Sequence, residues 1–166
     1  KLIFYIIIVV KLEEIEDLAR KIPIEEILKK FDWKDFEEVV AEIFRRNDFL
    51  VKKNFRFKTN KRYEVDILAI RRNLVLCVDC KRWSGGRYKK SGIKKSVEEQ
   101  ERRVIEVKEI LIKNSILRKT LKVEDVFEVI PLLVTLMEED LVQEKNTFIV
   151  PIFKLNSFLL EIENYL

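Results

Sequence analysis

The sequence predicts an α/β fold in which a central mixed β-sheet lies between two layers of helices. Segments with apolar residues at three- and four-residue spacing alternate with segments of consecutive or alternating apolar residues, so both helices and strands are expected. One helical segment stands between two groups of strands, and such a connection normally forms a right-handed crossover between parallel strands. We therefore expect a three-layer α/β/α sandwich with the core order helix, three strands, helix, strand (αβββαβ).

The N-terminal residues are predicted to form a segment separate from this domain. Leu2 to Val10 is a run of nine apolar residues, which is too short to span a bilayer. It is read either as a buried strand or interface segment, or as the trailing end of a longer hydrophobic segment. Residues 12–30 show helical spacing interrupted at Pro23, which indicates two short helices. We assign residues 1–31 to this segment and residues 32–166 to the domain.

The first helix of the domain is predicted over residues 32–46. It opens with an N-cap aspartate that is followed by an acid three residues later. Its apolar stripe is centred near Phe36, so that Glu38 and Glu42 point away from the stripe while Glu37 lies at its border. Glu37 is therefore expected to reach the sheet under the helix.

Five strand-like segments follow this helix. The first three form a predicted antiparallel meander, and a basic loop and a long helix separate them from two further strands and a closing helix. In order, the predicted elements are strands at 49–58, 63–71 and 74–83, a loop at 84–95, a helix at 96–114, strands at 126–137 and 148–153, and a helix at 156–165.

The composition excludes several kinds of chemistry. The chain contains no histidine, so no imidazole serves as base, nucleophile or metal ligand. Its three glycines lie between Gly85 and Gly92, which excludes a glycine-rich phosphate loop and, with it, a nucleotide cofactor. Cys77 and Cys80 are expected on opposite faces of one strand, as small buried residues rather than a zinc site. A metal ion would have to be held by carboxylates.

The net charge of +4 conceals an uneven distribution. Residues 51–95 contain 15 lysines and arginines and 3 acids, whereas residues 1–50 contain 9 and 12, and residues 96–166 contain 9 and 14. This concentrated positive charge predicts a surface that binds a polyanion, and nucleic acid is preferred over a merely solvated face. The composition, rich in lysine and glutamate with few glutamines, is also compatible with a thermophilic protein.

Two of the three acids in this basic segment are predicted to lie side by side. If Arg72 and Asn73 form a two-residue hairpin turn, Asp66 lies directly opposite Asp79 on the neighbouring strand. Their Cβ atoms would then be about 5 Å apart. Lys81 lies two residues beyond Asp79 and therefore shares its face of the sheet.

Two carboxylates at this separation require a cation. Their repulsion amounts to about 3 kcal/mol at an effective dielectric constant of about 20. Lys81 offsets part of it, and Mg²⁺ would offset more, because this ion prefers a few carboxylates together with water. With Glu37 added from the helix, the set can orient and activate a water for phosphodiester hydrolysis. The alternative is a plain ion pair between Asp79 and Lys81 at a strand end.

Three short segments carry a family resemblance. They are FEEVVAEIF at 36–44, VDILA at 65–69 and VDCKR at 78–82. Together they resemble the PD-(D/E)xK nuclease superfamily, in particular the Mrr-type restriction endonucleases and archaeal Holliday junction resolvases, over about residues 33–160. The resemblance implies a restriction endonuclease-like fold. Val65 stands in place of the nominal proline and Asp79 in place of a glutamate, and neither change removes a ligand.

The resemblance implies a Mg²⁺-dependent DNA endonuclease, with Mn²⁺ as a substitute ion, that hydrolyses phosphodiester bonds with a metal-activated water. Asp66 and Asp79 would be metal ligands, Lys81 would position the water, Glu37 would complete the site, and the backbone carbonyl of Cys80 would be a further ligand. We expect a cytoplasmic homodimer that cuts both strands, with a membrane role only if an anchor precedes residue 1. The alternative function is a DNA-binding or assembly domain that keeps this fold without turnover.

Six basic residues that follow Lys81 are expected to contact DNA phosphates, with Tyr88 among them for stacking on bases. The alternative is a solvated basic loop. The six residues are Arg82, Arg87, Lys89, Lys90, Lys94 and Lys95.

Overall fold

A computed structural model of the chain describes residues 33–81, 89–136 and 142–164. The predicted N-terminal segment, residues 1–31, lies outside the described residues, so the division at residue 32 stays a prediction. Arg82 and Arg87 also lie outside them. No helix of the described ranges combines the length and the apolar character needed to cross a membrane.

The described chain alternates between helices and strands. The elements are α1 (Trp33–Arg46), β1 (Leu50–Lys58), β2 (Arg62–Arg71), β3 (Leu74–Lys81), α2 (Lys89–Lys113), α3 (Ser115–Thr120), β4 (Glu128–Thr135), β5 (Gln143–Glu144), β6 (Thr147–Pro151) and α4 (Ile152–Glu161), and a 3₁₀ turn (Ile162–Asn164) follows α4.

Within the described residues, six strands form one mixed sheet in the order β1-β2-β3-β4-β6-β5. β1, β2 and β3 are antiparallel neighbours, which confirms the predicted meander. β3 and β4 pair in parallel, and β4 also pairs in parallel with β6. Because α2 stands between β3 and β4 in the chain, the predicted connection between parallel strands is confirmed.

Helices cover both faces of this sheet. On one face, α1 and α4 contribute Phe44 and Leu155 to a core that includes Leu76 of β3. On the other face, α2 contributes Val107 and Leu111 to a second core. Each such side chain contributes about 1.5 to 3 kcal/mol when it is removed from water. The predicted three-layer α/β/α sandwich is confirmed.

Helix α2 begins seven residues earlier than predicted. Residues 84–95 were predicted to form a loop, but residues from Lys89 onward are helical. The physical reason is the apolar stripe, because Ile93 and Val97 are four residues apart, buried, and packed against Leu133 of β4. Gly92 is accommodated without strain, since an added Cβ atom would meet nothing within 4 Å.

Three shorter elements also differ from the prediction. α3 was missed, and its N-cap is Asn114, whose side chain accepts a hydrogen bond from the backbone N–H of Leu117 at 2.9 Å. The last long strand ends at Pro151, and α4 begins at Ile152 rather than at residue 156. β5 has two residues and is too short to leave a pattern in the sequence.

Candidate active site

Asp79 and Lys81 lie at the end of β3. Asp79 is buried, with 3% of its surface exposed, while Lys81 is half-buried. The Lys81 Nζ lies 2.9 Å from the Asp79 Oδ2, as expected for two residues that project from the same face of a strand. The predicted ion pair therefore exists in the structure.

Asp66 lies where β2 separates from β3. The two strands pair from Arg71↔Leu74 to Ile67↔Val78, which confirms the predicted register over these residues, whereas the predicted pair of Asp66 with Asp79 lies one residue beyond the last paired position. One residue further, the Asp66 Oδ2 accepts a hydrogen bond from the backbone N–H of Cys80 at 2.9 Å. The carboxylate is thus directed toward the end of β3, beside Asp79 and Lys81.

The strand alternation changes at Asp66. Residues 65 and 67 would share one face of a regular strand. Instead, Ile67 packs into the core under α1 and Val65 packs into the core under α2. In β1, Asn54 lies between the pairs Lys53↔Ile67 and Phe55↔Val65 and has a φ of 49°, which a non-glycine residue rarely adopts. This local distortion takes Asp66 out of the regular alternation.

The electrostatic environment of Asp66 is unfavourable for its charge. Its pKa is raised from 3.8 to about 6, first by burial and then by the negative charge of Asp79, with a smaller contribution from Glu37. The N–H of Cys80 and the ammonium group of Lys81 act in the opposite direction. A buried acid whose pKa is raised by neighbouring carboxylates is the setting that a bound cation stabilises.

Glu37 reaches this site from α1. It is half-buried, and its charge acts on both Asp66 and Cys80. The prediction for Glu42 was wrong, because this residue is buried at 7% exposure rather than directed away from the core. Arg45 and Arg46 satisfy it at 3.3 and 3.6 Å, as ion pairs one helical turn away.

Arg103 of α2 is a member of the site that was not predicted from the sequence. Its Nη1 lies 3.0 Å from the Asp79 Oδ1 and 2.6 Å from the Gln100 Oε1. Asp79 therefore has Lys81 on one carboxylate oxygen and Arg103 on the other. Two cations compensate this buried anion, one from its own strand and one from the helix above it.

Gln100 holds α2 on the sheet at this point. Its side chain is fully buried, and its amide nitrogen donates to the backbone carbonyls of Cys77 in β3 and Leu132 in β4. A signal for it was present in the sequence. Gln100 stands at helical spacing between Val97 and Val104, and a polar residue within an apolar stripe predicts a buried hydrogen-bonding group.

The donor set suits a small, hard cation. In the described part of the chain, no three acidic or cysteine side chains form a group that could hold a metal ion by themselves. Mg²⁺ does not require such a group, because one or two carboxylates together with waters and substrate oxygens usually bind it. Asp66 and Asp79 provide two carboxylates, and the charge of Glu37 acts on Asp66 from α1.

The two cysteines are structural. Both are free and buried, and they pack into different cores on the two faces of the sheet, which confirms the predicted arrangement. Burial raises the pKa of Cys77 to about 12 and that of Cys80 well above its ordinary value. The thiols therefore stay protonated at neutral pH and are poor metal ligands. A ligand role for the Cys80 carbonyl stays a prediction.

The predicted DNA-binding residues fall on α2 or outside the described residues. Lys94 and Lys95 are exposed on the first turns of α2. Lys89 and Lys90 belong to the first turn of the same helix, but their side chains lie outside the described part. What was predicted as a basic loop is thus partly a basic helix that leads toward Gln100 and Arg103.

A mixed sheet between two helical layers, with acids and a lysine at adjacent strand ends, is a restriction endonuclease-like nuclease fold. The chain belongs to the nuclease-related domain (NERD) family, whose pattern matches residues 32–136. This range includes Glu37, Asp66, Asp79, Lys81 and Arg103. The chain is also similar to an uncharacterized protein of Archaeoglobus fulgidus, with 32% identity over 135 residues that cover 81% of this chain and 94% of that protein. Membership of the NERD family makes the function of the present chain nuclease-related, and it implies nucleic acid as the substrate.

Proposed function

We propose that this protein is a metal-dependent DNA endonuclease of the Mrr-type restriction or junction-resolving kind. The observation that carries the proposal is the convergence of Asp66, Asp79 and Lys81 at adjacent strand ends in a chain of the nuclease-related family. Mg²⁺ is the proposed cofactor, with Mn²⁺ as a substitute, and a cytoplasmic location belongs to the same proposal.

Each residue of the site has a distinct role in this proposal. Asp66 and Asp79 would hold the cation, which when bound would supply charge neutralisation for the phosphodiester and a more acidic water. Lys81 donates hydrogen bonds and would orient the attacking water or a phosphate oxygen from a position beside Asp79. Glu37 would hold a further water from the α1 side. Burial of Asp79 keeps bulk water from screening these interactions.

DNA is the proposed nucleic acid, and a homodimer is the proposed assembly. The positive charge of residues 51–95 supports a polyanionic partner, because 15 basic residues accompany only 3 acids there and two of those acids are Asp66 and Asp79. One such site hydrolyses one strand. Two copies related by a two-fold axis would therefore cut both strands of a duplex or junction.

The proposal is tested by cleavage assays on duplex, branched and modified DNA in the presence of Mg²⁺. We expect the wild-type chain to cut at least one of these substrates, and Asp66→Ala or Lys81→Ala to lose the activity. Matched controls are Asp125→Ala, an exposed acid paired with Arg118, and Lys119→Ala, an exposed lysine of α3. Undiminished cleavage by both site variants would exclude this mechanism.

A second function is favoured by one specific observation. Both oxygens of Asp79 are occupied by protein cations, Lys81 at 2.9 Å and Arg103 at 3.0 Å, so the buried acid is already neutralised. This arrangement suits a DNA-binding or assembly domain that keeps the nuclease fold without turnover. That function predicts DNA binding with a steep salt dependence and no cleavage of any substrate with any divalent ion.

A further inference from the structure

The hairpin of β1 and β2 extends beyond the candidate active site. β2 pairs with β3 only as far as Ile67↔Val78, whereas its pairing with β1 continues to Lys58↔Arg62. Residues 55–65 therefore form a two-stranded projection past Asp66, about 13 Å long at about 3.3 Å per residue. We call residues 55–65 the β-arm.

The β-arm is held firmly against α2. Phe55, Phe57 and Tyr63 stack in a row on its inner face, with ring centroids 5.4 Å apart in both contacts. Phe55 and Phe57 also pack against the core under α2. At the tip, the Thr59 hydroxyl is hydrogen-bonded to the carboxylate of Glu106 in α2. The outer face of the arm is thus presented in one fixed position.

The outer face carries positive charges that the described residues do not neutralise. Arg56 lies opposite Glu64, and their side chains form an ion pair at 3.0 Å. The next pair outward, Lys58 and Arg62, consists of two like charges directly opposite each other, which destabilises a strand pair. Both side chains are exposed, and no ion pair joins either of them to an acid of the described part of the chain. Lys61 lies at the turn, but its Nζ is over the ring of Tyr63, 5.1 Å from the ring centroid, and it is not counted with this pair.

We propose that Lys58 and Arg62 bind a backbone phosphate of the DNA whose scissile bond lies at Asp66. This inference rests on the proposed function and adds a contact separate from the predicted residues at 82–95. A phosphate between the two side chains would convert an unfavourable charge pair into a charge-assisted contact. Because the packed inner face fixes the backbone of the arm, binding has to order only the two side chains.

The test compares two variants that each remove two exposed positive charges. Lys58→Gln/Arg62→Gln alters the β-arm. Lys119→Gln/Lys122→Asn alters the opposite end of β2, where Lys122 lines a cavity together with Arg72 of the β2–β3 turn. Asparagine is chosen at residue 122 because its φ is 55° and asparagine tolerates that region. Affinity for labelled duplex DNA is measured by fluorescence anisotropy in EDTA, at several salt concentrations.

We expect the arm variant to bind DNA at least about tenfold more weakly at about 0.1 M salt, and its salt slope to be shallower by about 0.9, the value for one lost phosphate contact. The control should retain wild-type affinity and slope. The melting temperature of the arm variant should equal or exceed that of the wild type, because a repulsive pair is removed. Unchanged binding by the arm variant, or an equal loss in both variants, overturns the proposal.

The same experiment separates this inference from the proposed function. If the wild type cleaves DNA and Asp66→Ala does not, but the arm variant binds and cleaves like the wild type, the β-arm contact is refuted while the nuclease stands. If the wild type binds no DNA, both proposals fall.

Discussion

Arg103 donates a hydrogen bond from its Nη1 to the Oδ1 of Asp79 at 3.0 Å, and so binds the buried acid of the site from the opposite side to Lys81. A buried carboxylate is stable only when it is paired, because its transfer from water is costly. Arg103 therefore stabilises the metal-free fold. It also occupies an oxygen that a divalent ion would use and adds a positive charge beside that ion.

Replacing Arg103 should separate these two effects. Arg103→Met is expected to lower the free energy of unfolding in EDTA by about 2 to 4 kcal/mol, since it leaves Asp79 with one cation fewer. It should at the same time increase the affinity for Mg²⁺ or Mn²⁺, measured by calorimetric titration. Arg103→Lys keeps the charge, so its stability and its Mg²⁺ affinity should lie between those of the wild type and those of Arg103→Met. In the background of Asp79→Asn, the loss of stability from Arg103→Met should largely disappear. An undiminished loss would show that Arg103 acts through other contacts.

The raised pKa of Asp66 predicts a pH dependence of stability. A carboxyl whose pKa rises on folding, here from 3.8 to about 6, binds a proton more tightly in the native state. Its contribution to stability is therefore fully present below about pH 4 and is lost as the pH rises through about 6.

Asp66→Asn keeps an oxygen for the Cys80 N–H but does not titrate. In EDTA, the wild type should lose on the order of 3 kcal/mol relative to this variant between pH 4 and pH 7. Parallel curves would contradict the assigned environment.

Binding of a divalent ion at Asp66 and Asp79 predicts stabilisation that depends on these residues. At an ion concentration about 100 times the dissociation constant, the folded state gains about 2.7 kcal/mol, which corresponds to a melting shift of roughly 5 to 10 °C for a chain of this size. Differential scanning fluorimetry with and without Mg²⁺ measures the shift. Asp79→Asn should abolish it, whereas Asp125→Asn, at an exposed acid beside Arg118, should retain it. Equal shifts in both variants would place the ion elsewhere.

Those parts of the site could be predicted from the sequence that depend on residues close together along the chain or joined by a tight turn. A two-residue turn at Arg72 fixes the register of the hairpin, and the structure shows that register from Arg71↔Leu74 onward. The shared face of Asp79 and Lys81 follows from the two-residue period of a strand. These relationships depend only on backbone geometry, so residue spacing alone was sufficient.

The contacts between layers could not be predicted in the same way. Arg103 reaches Asp79 because α2 docks at one particular rotation and height above β3, and helix periodicity specifies neither quantity. The distortion at Asn54 and Asp66 has no distinctive sequence signal, although it turns Asp66 out of the regular alternation. The start of α2 was misplaced for a related reason, because burial of Ile93 outweighed the local weakness of a glycine-containing segment.

Gln100 provides the last prediction, because it joins the helical layer to the sheet. Its amide nitrogen donates to the carbonyls of Cys77 and Leu132, and its oxygen accepts from Arg103, so all of these contacts are lost in Gln100→Met while the side-chain volume is nearly kept.

We expect Gln100→Met to lower the free energy of unfolding by about 1 to 3 kcal/mol, the cost of leaving buried polar groups without a partner. The control, Glu99→Met, changes an exposed residue of the same helix and should stay within about 0.5 kcal/mol of the wild type. Urea denaturation measures both changes. Because Gln100 also orients Arg103, the variant should in addition bind Mg²⁺ more tightly than the wild type, in the same direction as Arg103→Met. A loss of stability with unchanged Mg²⁺ affinity would mean that Gln100 holds the layers together without setting the charge on Asp79.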